Sequence, residues 1–118
     1  LNVFAGTVRN IHEGNAVSGM TYHAHRGLAE ARLREIEAAA EARFKVSALV
    51  AHSVGRLAIG EISVIVVIRG GHRAEGFEAC RWTIDTIKQA VPIWKEEHYV
   101  DGEARFLEGV PIRPVASL

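Results

Sequence analysis

The chain has 118 residues, and 14 basic side chains balance 14 acidic ones, so its formal net charge is zero. No overall field draws it to nucleic acid or to a membrane surface, and any anion site has to come from local clustering. Hydrophobic residues make up 48% and charged residues 24% of the chain, an ordinary globular composition at the commonest domain size, and residues 1–118 are read as one domain.

One cysteine, Cys80, excludes an intrachain disulfide framework and a cysteine-rich zinc site, and it fits a reducing, cytoplasmic setting. The longest apolar run, Val64 to Ile68, is far short of the roughly 20 residues a membrane helix needs. The chain opens inside an apolar stretch without an initiator Met, and we expect a segment upstream of Leu1.

In chain order, Leu1 to Val8 reads as a strand and Ile11 to Asn15 as a turn or loop around Gly14-Asn15. Val17 to His23 alternates as a second strand does. From Gly27 to Phe44, Ala29, Leu33, Ile36, Ala40 and Phe44 recur at steps of three and four, which predicts a helix with one apolar stripe. Val46 to His52 is a strand, Ser53 to Arg56 a turn, and Leu57 to Gly60 leads to another turn. Glu61 to Arg69 is the strongest strand, β-branched and apolar on both faces, expected at the centre of a sheet covered on both sides. A second helix runs from about Arg73 to Val91, with Phe77, Cys80, Ile84, Ile87 and Val91 as its stripe and Pro92 as its terminator. Ala104 to Leu107 is strand-like, while Pro111 and Pro114 argue against regular structure beyond it. This order predicts an α+β fold with a mixed or antiparallel sheet and two main helices.

Three places can carry chemistry. At Gly70-Gly71-His72-Arg73 a strand feeds two glycines and a helix start, where unpaired N–H groups and the helix dipole favour an anion. A tight turn with a solvated Arg satisfies the same pattern. Lys88 and Lys95 flank Pro92. Lysines held near each other and near an arginine depress one another's pKa and become usable as base or nucleophile, although surface lysines are commonly inert. Asp85 is placed to pair with Arg81 or Lys88. Arg9, at a strand end, can reach a site at the sheet edge and bind phosphate or carboxylate through its planar fork. The six histidines show no metal-ligand spacing. Cys80 reads as a small core residue, Trp82 and Trp94 as packing or interface residues. No Walker, GxSxG or dinucleotide motif is present.

Taken together, these residues resemble the large subunit of molybdopterin synthase. Phe4-Ala5-Gly6-Thr7-Val8-Arg9 is similar to that family's FxGxVR segment. His52-Ser53-Val54-Gly55-Arg56-Leu57 with Gly60-Glu61 resembles its HRxGxLxxGE stretch. Gly71-His72-Arg73 with Phe77 to Cys80 resembles HRxxAFxAC, and Ile84 to Lys88 with Val91 to Glu97 resembles DxxKxxxPxWKxE. The matches are collinear over residues 4 to 97.

The resemblance implies an α/β-hammerhead fold and a homodimer that binds two copies of a small ubiquitin-like sulfur-carrier subunit, a heterotetramer in all. The carrier's C-terminal Gly-Gly thiocarboxylate would enter the large subunit's pocket and convert cyclic pyranopterin monophosphate to the dithiolene of molybdopterin, in molybdenum cofactor biosynthesis. Lys88 would be the principal catalytic lysine, with Lys95 as its essential neighbour. Arg9, His72 and Arg73 would bind the anionic substrate, Thr7 and Val8 would line the site, and Glu96 and Glu97 would border Lys95. The catalytic lysine can be a proton shuttle or a transient acyl acceptor; no metal or organic cofactor is implied.

The chain departs from the family pattern at Ser53, where Arg is usual, and at Gly76, where Ala is commoner. The family's first helix and strand are absent before Leu1. A basic tail residue that the family supplies to the neighbouring subunit has Arg105 and Arg113 as candidates. The alternatives are a non-catalytic carrier- or anion-binding paralogue and an unrelated phosphate-handling enzyme using the glycine-rich turn.

Overall fold

The computed structural model describes residues 1–107, 113–115 and 118. In chain order they form β1 (Asn2–Thr7), β2 (Ile11–His12), β3 (Asn15–Ala24), α1 (Arg26–Phe44), β4 (Ser47–His52), β5 (Gly55–Ala58), β6 (Ile62–Arg69), α2 (Arg73–Ala90), β7 (Ile93–Tyr99) and β8 (Ala104–Phe106). The fold is α+β, and every strand pairing is antiparallel.

β6 is the middle strand of a three-stranded sheet ordered β1-β6-β4. One face of that sheet, with Val50, Val64, Val66 and Ile68, packs under both helices and makes the main core with Leu33, Ile36, Ile84 and Ile87. The expectation that this sheet is covered on both sides is overturned. Val3, Val67 and Leu49 stand in register on the opposite face, and Val3 is 56% and Leu49 57% exposed.

The outer edge of β4 is not bare. The Val50 N–H donates to Glu37 Oε2 at 2.9 Å and the Ala48 N–H to Glu41 Oε2 at 3.1 Å, while Arg34 donates to the Val50 carbonyl at 3.1 Å. The carboxylates at i and i+4 on α1 thus meet N–H groups at i and i+2 on the strand, satisfying donors that an edge otherwise leaves open.

The second sheet runs β2-β3-β7-β8, with β5 also paired to β3. Ile11 to Asn15, expected as a turn or loop, is a tight hairpin turn flanked by short strand pairing. Glu13 and Gly14 both take positive φ, 49° and 81°, the conformation that a two-residue hairpin turn requires, and Ile11–His12 pairs back onto β3. The expected turn at Ser53 to Arg56 shrinks to two residues before β5 begins. β7 is not foreseen at all, because a proline leading into Lys95-Glu96-Glu97 carries no apolar alternation; its seven residues are held by the ladder to β3.

α1 buries the stripe that its periodicity predicts, Ala29, Leu33, Ile36 and Ala40. α2 buries part of its stripe, Ile84, Ile87 and Val91, and adds Gly76, Ala79, Thr83, Thr86 and Ala90 to its buried side, whereas Phe77 is exposed and Cys80 half-buried. Small residues let α2 lie close to its neighbours, and hydrophobicity alone ranks Phe above Ala or Thr. Gly76 has the same cause: a Cβ there would run into the Asn2 side chain.

Candidate active site

β1 leaves its sheet at a register shift between Gly6 and Thr7. Such a shift bends a strand and re-aims the residues beyond it. The Val8 N–H then donates to the Glu61 carbonyl at 3.0 Å, and the Gly60 N–H to the Val8 carbonyl at 2.9 Å. Val8 is buried in a second apolar cluster with Met20, Tyr22 and Leu57. The bend thereby carries Arg9 to the seam between the two sheets.

A cavity of about 420 Å³ occupies that seam, within the usual range for small-molecule sites. Phe4, Gly6, Thr7, Val8 and Arg9 line it from the end of β1, Met20 and Tyr22 from β3, and His52 from β4. Ser63 and Val64 come from β6, Ile84, Ile87 and Lys88 from the last turns of α2, and Lys95 from β7. Of the residues expected at a site, the cavity brings together Thr7, Val8, Arg9, Lys88 and Lys95.

It does not bring in His72 and Arg73. They begin α2, exposed, with no side-chain bond capping the helix, and 15 residues of α2 put Arg73 about 22 Å along the axis from Lys88. Glu96 does not line the cavity either. Strand alternation sends it to the face opposite Lys95, where it accepts from His23 Nε2 at 3.0 Å. Glu97 does share Lys95's face but is buried, 2% exposed. It accepts from the Tyr99 hydroxyl at 3.3 Å and lies 3.7 Å from His12 Nε2.

Lys95 keeps part of its side chain in solvent. Its pKa is nonetheless lowered, first by burial, then by the charges of Lys88 and Arg9, with Glu97 opposing. The depression of a lysine expected of clustered cations is present at Lys95, and Arg9 supplies the guanidinium. Arg81 pairs with Asp85 at 3.9 Å on the open side of α2. A lysine held below its ordinary range has more neutral amine near pH 7 to act as base or nucleophile, and the flanking cations remain to hold anions.

Sequence reasoning does not find His52 and Tyr22 as cavity walls. His52 figures there only as part of a motif, and Tyr22 stands in an otherwise unremarkable strand. Their rings meet edge to face, with centroids 4.9 Å apart at 70°. His52 Nδ1 donates to the Ser53 carbonyl at 2.7 Å, and burial lowers the ring's pKa against that bond, with Lys95 lowering it further. Elsewhere, Trp94 stacks on His23 and Phe106 tilts against it, Trp82 packs on Phe44, and burial raises the pKa of Cys80. Arg105 pairs with Glu103 and lies over the Tyr99 ring. Arg113 donates to Gln89 Oε1 at 3.2 Å.

Among the described residues no three His, Cys, Asp or Glu side chains gather into a metal site, and no helix is long and apolar enough to cross a membrane. The chain is thus an α+β protein that collects two lysines and an arginine around a cavity of small-molecule size. A family model described as MoaE protein matches residues 1–90. The chain therefore belongs to the MoaE family, whose members include molybdopterin synthase catalytic subunits.

The catalytic subunit of Halalkalibacterium halodurans is 38% identical over 104 residues, 87% of this chain and 67% of that one. That of Oryza sativa subsp. indica is 45% identical over 101 residues, 85% of this chain, and the chain spans only 52% of the plant protein. The crystal structure of molybdopterin synthase from Staphylococcus aureus is similar with a TM-score of 0.85 at 30% identity, over 91% of this chain and 78% of that one. The complex of subunits 1 and 2 of the molybdopterin-converting factor of Helicobacter pylori is similar with a TM-score of 0.75 at 25% identity, over 98% and 76%.

Proposed function

We propose that the cavity between the two sheets carries out the sulfur transfer of a molybdopterin synthase. The substrate is cyclic pyranopterin monophosphate, and the sulfur donor is the C-terminal thiocarboxylate of a small Gly-Gly-tailed carrier subunit. The observation that carries the reading is the convergence of Arg9, Lys88 and Lys95 on one cavity, with Lys95 held below its ordinary pKa by burial and by the other two. Both reactants are anionic, and a preorganised cation cluster stabilises the charge that develops between them. Lys88 is the principal catalytic lysine, and Lys95, its essential neighbour, has more neutral amine near pH 7 than an ordinary lysine to act as base or nucleophile.

A homodimer completes the proposal. The uncovered sheet face of Val3, Leu49, Ile65 and Val67 supplies an apolar surface for a second copy. In such an assembly His72 and Arg73, remote from their own cavity, serve the partner copy's substrate, and two carriers make the heterotetramer. The H. pylori complex of two subunits supports the carrier partnership. A free thiol at Cys80 and a thiocarboxylate donor suit the cytoplasm.

The decisive experiment mixes the protein with a thiocarboxylated carrier and the pterin substrate and looks for dithiolene product. Product is expected from the wild-type chain and none from Lys88→Ala or Lys95→Ala at retained thermal stability. Carrier binding without product would instead mark a non-catalytic paralogue. Turnover by Lys88→Ala and Lys95→Ala at the wild-type rate would remove the site.

A further inference from the structure

His52 has no part in the lysine chemistry of the cavity, yet its ring forms part of the wall. Its Nδ1 lies 2.7 Å from the Ser53 carbonyl oxygen. A carbonyl only accepts, so Nδ1 carries the ring hydrogen and Nε2 keeps its lone pair while the ring is neutral. Nε2 has no hydrogen-bond partner among the described residues. Burial and the Lys95 charge both disfavour the imidazolium, and the edge contact with Tyr22 fixes the ring plane.

That combination is complementary to the rest of the wall. Arg9 and a protonated Lys88 can only donate, so they can meet a phosphate, a carbonyl or a ring nitrogen but not an N–H. A pterin presents N–H groups as well as acceptors. The hydroxyls of the wall can play either part and impose no direction, whereas a neutral His52 Nε2 can only accept. Leaving an N–H unmet in a partly dehydrated cavity costs more than the bond itself returns.

We propose that Nε2 of His52 accepts a hydrogen bond from an N–H of the pterin ring and thereby sets which edge of the bicycle faces the lysines. This assignment rests on the sulfur-transfer reading for the identity of its ligand. It makes His52 a specificity residue, acting in binding rather than in the transfer step.

The charged and titratable groups around the ring are Lys95 from β7, Lys88 from α2, Arg9 beyond β1 and Tyr22 from β3, with Arg26 and Glu30 of α1 across an adjoining cavity that His52 also lines. Burial and the Lys95 charge oppose protonation and the bond to the Ser53 carbonyl favours it, so acid conditions convert Nε2 to a donor only below the ordinary imidazole value of 6.5.

The test is calorimetric binding of cyclic pyranopterin monophosphate, and separately of an unphosphorylated pterin such as neopterin, to wild type, His52→Phe and His52→Gln, alongside steady-state turnover. His52→Phe keeps a ring and removes the acceptor; His52→Gln places an amide oxygen near Nε2. Losing the bond and stranding its partner is expected to raise Kd and KM about tenfold in His52→Phe, with kcat within about twofold. His52→Gln should recover most of the binding. Wild-type affinity should weaken as pH falls below 6.5, and that of His52→Gln should not. Where His52→Phe fails to fold, the wild-type and Gln pH profiles decide alone.

Unchanged Kd in His52→Phe, equal weakening in Phe and Gln, or a flat wild-type profile overturns the assignment. Pterin binding with the expected pH profile but no dithiolene would sink the sulfur-transfer reading and leave His52 as a pterin ligand. Product formation with an unaffected His52→Phe would do the reverse.

Discussion

Lys95 stands opposite Tyr22 in the β3–β7 ladder. Its amine therefore enters the cavity from the sheet face that Tyr22 and Met20 occupy, and of the two carboxylates next along the strand only Glu97 shares that face. The alternation of a strand decides which of two adjacent glutamates tunes the lysine.

Two substitutions should move the Lys95 pKa in opposite directions. Removing a cation beside an ammonium favours its protonated form, so Arg9→Gln should raise the pKa; removing the nearby anion disfavours that form, so Glu97→Gln should lower it. The measurement is competitive labelling with an amine reagent, read by mass spectrometry on the chain's three lysines, Lys45, Lys88 and Lys95. Near neutral pH, Lys95 should label faster than an ordinary lysine, more slowly in Arg9→Gln and faster still in Glu97→Gln. A Lys95 labelling rate unchanged in both variants would show that neither charge sets the shift.

His52 also ties stability to pH. Its folded-state pKa lies below the unfolded value of 6.5, so the unfolded chain binds a proton before the folded chain does. The contribution of the neutral ring is present above pH 6.5 and is lost as pH falls below it toward the folded value. Thermal melts should show Tm falling over that window in wild type, and the fall should be shallower in His52→Gln. Parallel profiles would place the acid sensitivity on the other histidines.

Leu49 and Val3 occupy the two edge strands of the uncovered sheet face. Because both are more than half exposed, Leu49→Glu with Val3→Glu should cost the isolated chain little, of order 0.5 kcal/mol each. Sedimentation or light scattering should report a dimer for wild type and a monomer for the double variant at micromolar concentration. A dimer that survives both charges would mean that the copies meet elsewhere.

Gly76 opposes two effects. Alanine in a helix interior is favoured over glycine by about 1 kcal/mol, but a Cβ at 76 displaces the Asn2 side chain. Gly76→Ala alone should gain less than that amount in chemical denaturation. In an Asn2→Ala background, with the obstacle removed, the same change should give close to the full gain. Equal effects in the two backgrounds would show that Asn2 moves aside freely.

Both helices are legible in the sequence because long amphipathic stripes survive tertiary override, and β6 is legible because a β-branched run fits little else. Arg9, Lys88 and Lys95 are legible as a set through the collinear motifs and through the expectation that clustered cations tune one another. β5 and β7 are not, since both are held by ladders to β3 rather than by any alternation of their own. The α2 stripe misleads because Phe77 and Cys80 outrank Ala79 and Thr83 in hydrophobicity, while close helix packing selects the smaller pair. His52 is a wall residue only because the end of β4 converges on β3, and local sequence carries no record of that convergence.

The carboxylates of Glu37 and Glu41 have a consequence for how the chain assembles during its synthesis. α1 precedes β4 in the sequence, so the groups that occupy the strand's outer N–H row leave the ribosome before the strand itself. β4 then emerges beside a cover already made, and a second nascent chain finds little free edge there on which to extend the sheet. The brake on misassembly is translated ahead of the element it restrains.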